Sequence, residues 1–231
     1  MKRRFKKLTK RFYRLVGFES LCFVLVGFVL FQPLLETYVF ANSLFISIFL
    51  IFLVGTTSFI TDNKNITLLT AVLVAIAIVM EFLPLNEAIR EKSTYLQGLN
   101  VGIILTLVLR DIFFGPRTLR EKLYASVAGF FLIAILGALI YHMILLYNPL
   151  AIKSDGVVDV SQFSTLVYFS VSTLTTLGYG DIVPAAPIAR TVTILLGITG
   201  QLYVVILISR LVAHIKFNKA KEDQSVFEKI F

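Results

Sequence analysis

Six apolar runs, at 15–35, 39–60, 66–83, 95–114, 123–147 and 188–213, occupy most of the 231 residues, and each is close to the ~20 residues that a helix needs to cross a bilayer. Inside hydrocarbon each backbone N–H and C=O must find its partner within the protein, and a run of this length does so as a helix. A 57% share of hydrophobic residues and a mean hydropathy of +0.85 agree with the membrane class. The expected fold is therefore an all-α membrane protein with six transmembrane helices. A seventh run, 161–174, is too short to cross and fits a re-entrant helix, for which Asp159 or Ser161 is available as an amino-terminal cap.

The net charge of +8 would suit a nucleic-acid binder, but the basic residues sort by membrane side and not onto one soluble face. With the amino terminus in the cytoplasm, eighteen Lys and Arg fall on the inner side, eight of them before residue 15. Only Arg90, Lys92, Lys153 and Arg190 fall outside. That bias predicts both termini in the cytoplasm, an integral protein of the cell membrane, and lipid rather than nucleic acid as its surroundings. The first apolar run is longer than the ~7–15 residues of a signal-peptide core, so cleavage is not expected. Cys22 is the one cysteine, and no intrachain disulfide is possible.

Charge and proline at 115–122 separate a basic cytoplasmic segment (1–14) and a four-helix peripheral membrane domain (15–122) from a second module, 123–214, and a short cytoplasmic tail, 215–231. Within the second module the re-entrant run leads into Thr175-Thr176-Leu177-Gly178-Tyr179-Gly180-Asp181. Aiming successive carbonyls at one axis requires right-handed and left-handed dihedrals to alternate, and glycines two apart supply the left-handed ones cheaply. A ring of such carbonyls can replace the hydration shell of a potassium ion, but one strand makes only one wall of it.

The stretch Thr176–Asp181 resembles the selectivity-filter signature of the tetrameric potassium channel family, with leucine at 177 where valine or isoleucine is usual. The resemblance is specific over 123–214, while residues 1–122 resemble the peripheral domain of six-span channels in helix count and orientation alone. It implies a selectivity-filter loop, a four-fold assembly of identical subunits, and a passive potassium-selective pore. Potassium would be coordinated by Thr176, Leu177, Gly178, Tyr179 and Gly180. Thr175 would support the loop, Tyr168 and Phe169 would meet the Tyr179 ring, and Asp181 would line the outer mouth. Ser172 stands where some relatives carry an acid, which leaves Tyr168 as the partner for Asp181.

In the last span Gly200 matches the gating hinge of the family, twenty residues beyond Gly180, and close packing explains it equally well; Gly197 shares its face. Gln201, Val204 and Ile208 form a stripe expected to face the cavity. The fourth span holds Arg110 alone among basic residues, beside Asp111, which predicts weak or absent voltage gating. A voltage-gated channel, or less readily a potassium transporter subunit, is the alternative. His142 is either a buried neutral histidine or an external pH sensor. The sequence shows no metal-ligand cluster, nucleophile elbow or phosphate loop, so neither an enzymatic activity nor a cofactor other than bound potassium is expected.

Overall fold

The computed structural model describes residues 2–36, 38–61, 63–83, 91–115, 118–156 and 159–230, and side chains within them except those of 2–16, 39, 40 and 211–230. Arg90, Pro116 and Arg117 lie outside the described residues. The elements are α1 (Lys2–Leu35), α2 (Val39–Ile60), α3 (Lys64–Phe82), α4 (Ser93–Phe114), α5 (Leu119–Tyr147), β1 (Ile152–Ser154), α6 (Phe163–Leu174), β2 (Ile182–Pro184) and α7 (Pro187–Ile230). Six of the helices contain a stretch long and apolar enough to span a membrane, and α6 is the shorter apolar helix. The chain is an all-α membrane protein.

Two helices outrun their apolar runs by several turns. α1 begins at Lys2 and carries the basic segment as helix, and α7 continues to Ile230. At 44 residues α7 is ~66 Å long, well beyond the ~30 Å hydrocarbon core. Local chemistry sets the other ends. Asn63 caps α3 by accepting from Asn65 N at 3.0 Å. At the start of α5, Thr118 and Glu121 form a reciprocal capping box, Thr118 N donating to Glu121 Oε2 at 2.8 Å and Glu121 N to Thr118 Oγ1 at 3.4 Å. The buried Glu121 carboxylate is thereby satisfied.

Ion pairs and hydrogen bonds mark the two ends of the bundle. At one end Arg120 pairs with Glu19 at 2.7 Å, joining the start of α5 to α1, and Arg210 of α7 donates to Phe113 O at the end of α4. At the other, Ser43 donates to Glu81 Oε1 at 2.9 Å, joining the start of α2 to the end of α3.

Two apolar clusters meet along α5. One draws Leu21, Leu25 and Phe28 of α1, Leu53 of α2 and Ile104 of α4 onto Leu132 and Ile135, with Phe28 stacked on Phe49 at 3.9 Å. The other draws Leu166 and Phe169 of α6 and Leu196 of α7 onto Ala134, Ala138 and Tyr141. α5 is accordingly 61% buried over its apolar stretch, whereas the apolar part of α7 is 11% buried. A helix so open within its own chain has most of its contact surface left for lipid or another chain.

Candidate functional site

The short apolar helix α6 spans twelve residues, ~18 Å, and starts two residues later than the apolar run. Neither Asp159 nor Ser161 caps it. Asp159 closes a turn ahead of the helix, accepting from Ser161 N at 2.9 Å and Ser161 Oγ at 2.7 Å, and these bonds hold its carboxyl below the usual range. The N-cap Gln162 makes no side-chain bond. The first turn is served instead from the residue after α1, where both carboxylate oxygens of Glu36 accept from Ser164 N at 3.3 and 3.2 Å. A carboxylate there completes an orphan N–H and complements the helix dipole. α6 lies hard against α5: Ser170 Oγ donates to Ala134 O at 2.6 Å, and Gly137 has no room for a Cβ beneath it.

Past Leu174 the chain folds back onto its own helix end. Thr175 N donates to Val171 O, Thr176 N to Thr173 O, and Leu177 N and Gly178 N to Ser172 O at 2.9 and 3.3 Å. Thr175 Oγ1 bonds Val171 O as well, at 2.7 Å. Beyond that anchor the dihedrals alternate: φ is +61° at Thr176, +54° at Gly178 and +85° at Gly180, while Leu177 and Tyr179 between them are not positive. Among the described hydrogen bonds the carbonyls of residues 176–180 accept none, and the loop from 175 to 180 is exposed throughout. The result is a short ladder of carbonyl groups with no partner among the described hydrogen bonds.

The segment after the loop is pinned on its outer side. β2 pairs antiparallel with β1, Ser154 opposite Ile182, and Asp155 N donates to Asp181 O at 3.0 Å. Tyr168 Oη donates to Asp181 Oδ2 at 2.7 Å, and the Tyr168 and Tyr179 rings stack at 6.3 Å, 3° from parallel. Phe169, expected at the Tyr179 ring, is buried on another face of α6 and packs on Tyr141 at 4.8 Å. Ser172 is buried and serves the loop through its carbonyl.

The Asp181 bond raises the Tyr168 phenol from 10.0 to about 12, with burial adding to it. A raised tyrosine pKa means that the bond's contribution is full below 10.0 and is lost as pH climbs through about 12. Two substitutions separate the roles of the pair. Asp181→Asn removes the charge, and its effect is expected to be larger at low ionic strength than at high, because salt screens surface charge. Tyr168→Phe keeps the charge and is expected to lower loop stability with little salt dependence. Thermal stability in detergent at two ionic strengths distinguishes them.

Below the loop, Gln201, Val204 and Ile208 of α7 are exposed, as are their neighbours Leu202, Val205 and Ile206, so exposure does not single out a stripe. Gln201 Nε2 donates to Thr176 Oγ1 at 3.3 Å. Gly200 meets the carbonyl oxygen of Leu174 so closely that no Cβ fits, whereas the nearest atom to a Cβ at Gly197 is Thr173 O at 4.0 Å. The other side of α7 is tied to α5 by Tyr203 Oη donating to Ser126 O at 2.7 Å. His142 sits away from the loop, in a 290 Å³ cavity between the first four helices, α5 and α6 that Glu36, Glu81 and Glu91 also line. Among the described residues no group of three or more His, Cys, Asp or Glu could hold a metal ion.

Sequence reasoning missed three features. Thr176 in the left-handed region had no glycine to announce it, β1 and β2 are each three residues long, and Glu36 acts on Ser164 across 128 positions.

Residues 128–216, from α5 through the loop into α7, match a family model described as an ion channel. A curated relative, the two-pore potassium channel 4 of Arabidopsis thaliana, is 39% identical over 57 residues, a quarter of this chain. The aligned stretch spans a fifth of that relative's own length. No solved structure matches the chain. The part of the chain that carries α5, α6, the carbonyl loop and α7 is thus similar to an ion channel domain.

Proposed function

We propose that the chain is one subunit of a homotetrameric, potassium-selective channel that conducts passively, with the loop 175–181 as its filter. The observation that carries this reading is the run of carbonyls from Thr176 to Gly180, unpartnered and exposed, with left-handed dihedrals at alternate residues. Non-helical backbone at membrane depth is tolerated only where protein buries it or where it lines a water-filled path. Four such strands around an axis satisfy that condition and offer potassium a cage of oxygens in place of its hydration shell. The relative's name speaks of two pores, whereas the filter stretch occurs once here, so a ring of four strands requires four chains. The open face of α7 supplies the surface for that assembly. Crosslinking in membranes tests it: a ladder that ends at four supports the reading, and one that ends at two contradicts it.

In this reading both termini are cytoplasmic, in the cell membrane, and the channel is at most weakly voltage-gated. The charged residues of α4 are Arg110 and Asp111. One charge crossing the full field at 100 mV supplies ~2.3 kcal/mol, so four subunits could reach ~9 kcal/mol against the ~5.5 kcal/mol that switches a two-state pore from 1:99 to 99:1. Arg110, however, lies ~6 Å from the end of α4 and travels only part of the field, with Asp111 cancelling much of any shared movement. The expected open probability varies shallowly with voltage in planar bilayers. A steep sigmoid that moves several charges per channel would contradict it.

A further inference from the structure

Thr176 is the one non-glycine residue with positive φ among those described, at +61°. For an L-residue that conformation costs ~1–2 kcal/mol, so it persists only where its surroundings hold it. Two contacts do so. Thr176 N donates to Thr173 O at 3.1 Å, and the side chain accepts from Gln201 Nε2 at 3.3 Å. The second contact depends on α7 touching the end of α6 at Gly200, where the absence of a side chain lets the two backbones meet and brings the next residue beneath the loop.

Resting on the potassium-pore reading above, we propose that Gln201 is a positioning residue for the innermost ion site, which it orders by fixing the hydroxyl of Thr176. A threonine hydroxyl carries one proton and two lone pairs, and a freely turning one can aim its proton at the axis and repel a cation. Gln201 carries an N–H to Oγ1, and that direction must then be a lone pair. The remaining lone pair and the proton share two directions instead of three, and a cation on the axis selects the lone pair. Four glutamines acting together make the innermost site tighter and better ordered than four unrestrained threonines would. Gln201 itself need not touch the ion.

Cytoplasmic block by Ba²⁺, close to K⁺ in size and doubly charged, reads the quality of this site in the assembled full-length channel. Gln201→Leu is expected to raise the half-blocking Ba²⁺ concentration at least about tenfold, ~1.4 kcal/mol, with potassium still preferred over sodium. Gln201→Met, unbranched and of similar length, is expected to do the same and covers a leucine variant that assembles poorly. Thr176→Ala should shift the block comparably, and adding Gln201→Leu to it should shift the block no further, because the two side chains act as one unit. Val204→Gln, added to Gln201→Leu, restores polarity to the cavity without the contact and is expected not to rescue. Unchanged block in both Gln201 variants of a channel that conducts potassium would overturn this inference alone, as would additive effects of the pair or rescue by Val204→Gln. Absence of any potassium current from the wild-type protein would overturn the pore reading and this inference together.

Discussion

Gly178→Ala is expected to abolish selective potassium flux, by ~100-fold or more, while tetramers continue to assemble. At φ +54° an alanine costs ~1–2 kcal/mol, which in the proposed four-chain pore would total ~4–8 kcal/mol. About 5.5 kcal/mol is enough to take a two-state element from almost wholly one form to almost wholly the other. The cost is one of backbone conformation and not of crowding, since a Cβ at Gly178 meets nothing within 4 Å in the subunit. The helices that carry the apolar packing are untouched. Flux from reconstituted vesicles, read beside a crosslinking ladder, checks both halves, and robust selective flux from the alanine variant would remove the loop from its assigned role.

Gly200→Ala is expected to damage folding and assembly rather than to alter gating in an intact channel. The added methyl would collide with the backbone carbonyl of Leu174, which, unlike the end of a flexible side chain, cannot swing aside. Overpacking in well-filled interiors costs ~1–3 kcal/mol and more where backbone must move, against a total stability of ~5–15 kcal/mol. Gly197→Ala, with its nearest atom at 4.0 Å, is expected to be tolerated and to gain about 1 kcal/mol of helix propensity. Thermal stability and tetramer yield of the two variants in detergent decide the matter. A Gly200→Ala channel of normal yield and stability but altered open probability would instead make this glycine a hinge.

The spans were legible because a bilayer permits so few solutions: long apolar runs with charge at their ends fold as helices whatever their detail. The boundary before α5 was legible from the proline and charge at 115–122, but its start at Leu119, four residues ahead of the apolar run, is set by the Thr118–Glu121 capping box. Within the loop, glycines at 178 and 180 announced two of the three left-handed residues. Thr176, the third, was hidden because its conformation is imposed by partners on other elements and not by its own side chain. Glu36 at the start of α6 was hidden in the same way, as was the contact of Gln201 with Thr176, though Gln201 itself was read as part of the α7 stripe; each acts on a residue distant in sequence. The ring contact of Phe169 was misassigned because adjacent positions on a helix face about 100° apart. Tyr168 faces Asp181, and Phe169 faces into the core.

Potassium flux with ion substitution, in liposomes that contain the purified full-length protein, tests the central claim most directly. The account predicts rapid potassium efflux down its gradient, little sodium flux under the same conditions, and single-channel steps when the same protein is incorporated in a bilayer. Equal sodium and potassium flux, or slow transport that saturates without unitary steps, would contradict it.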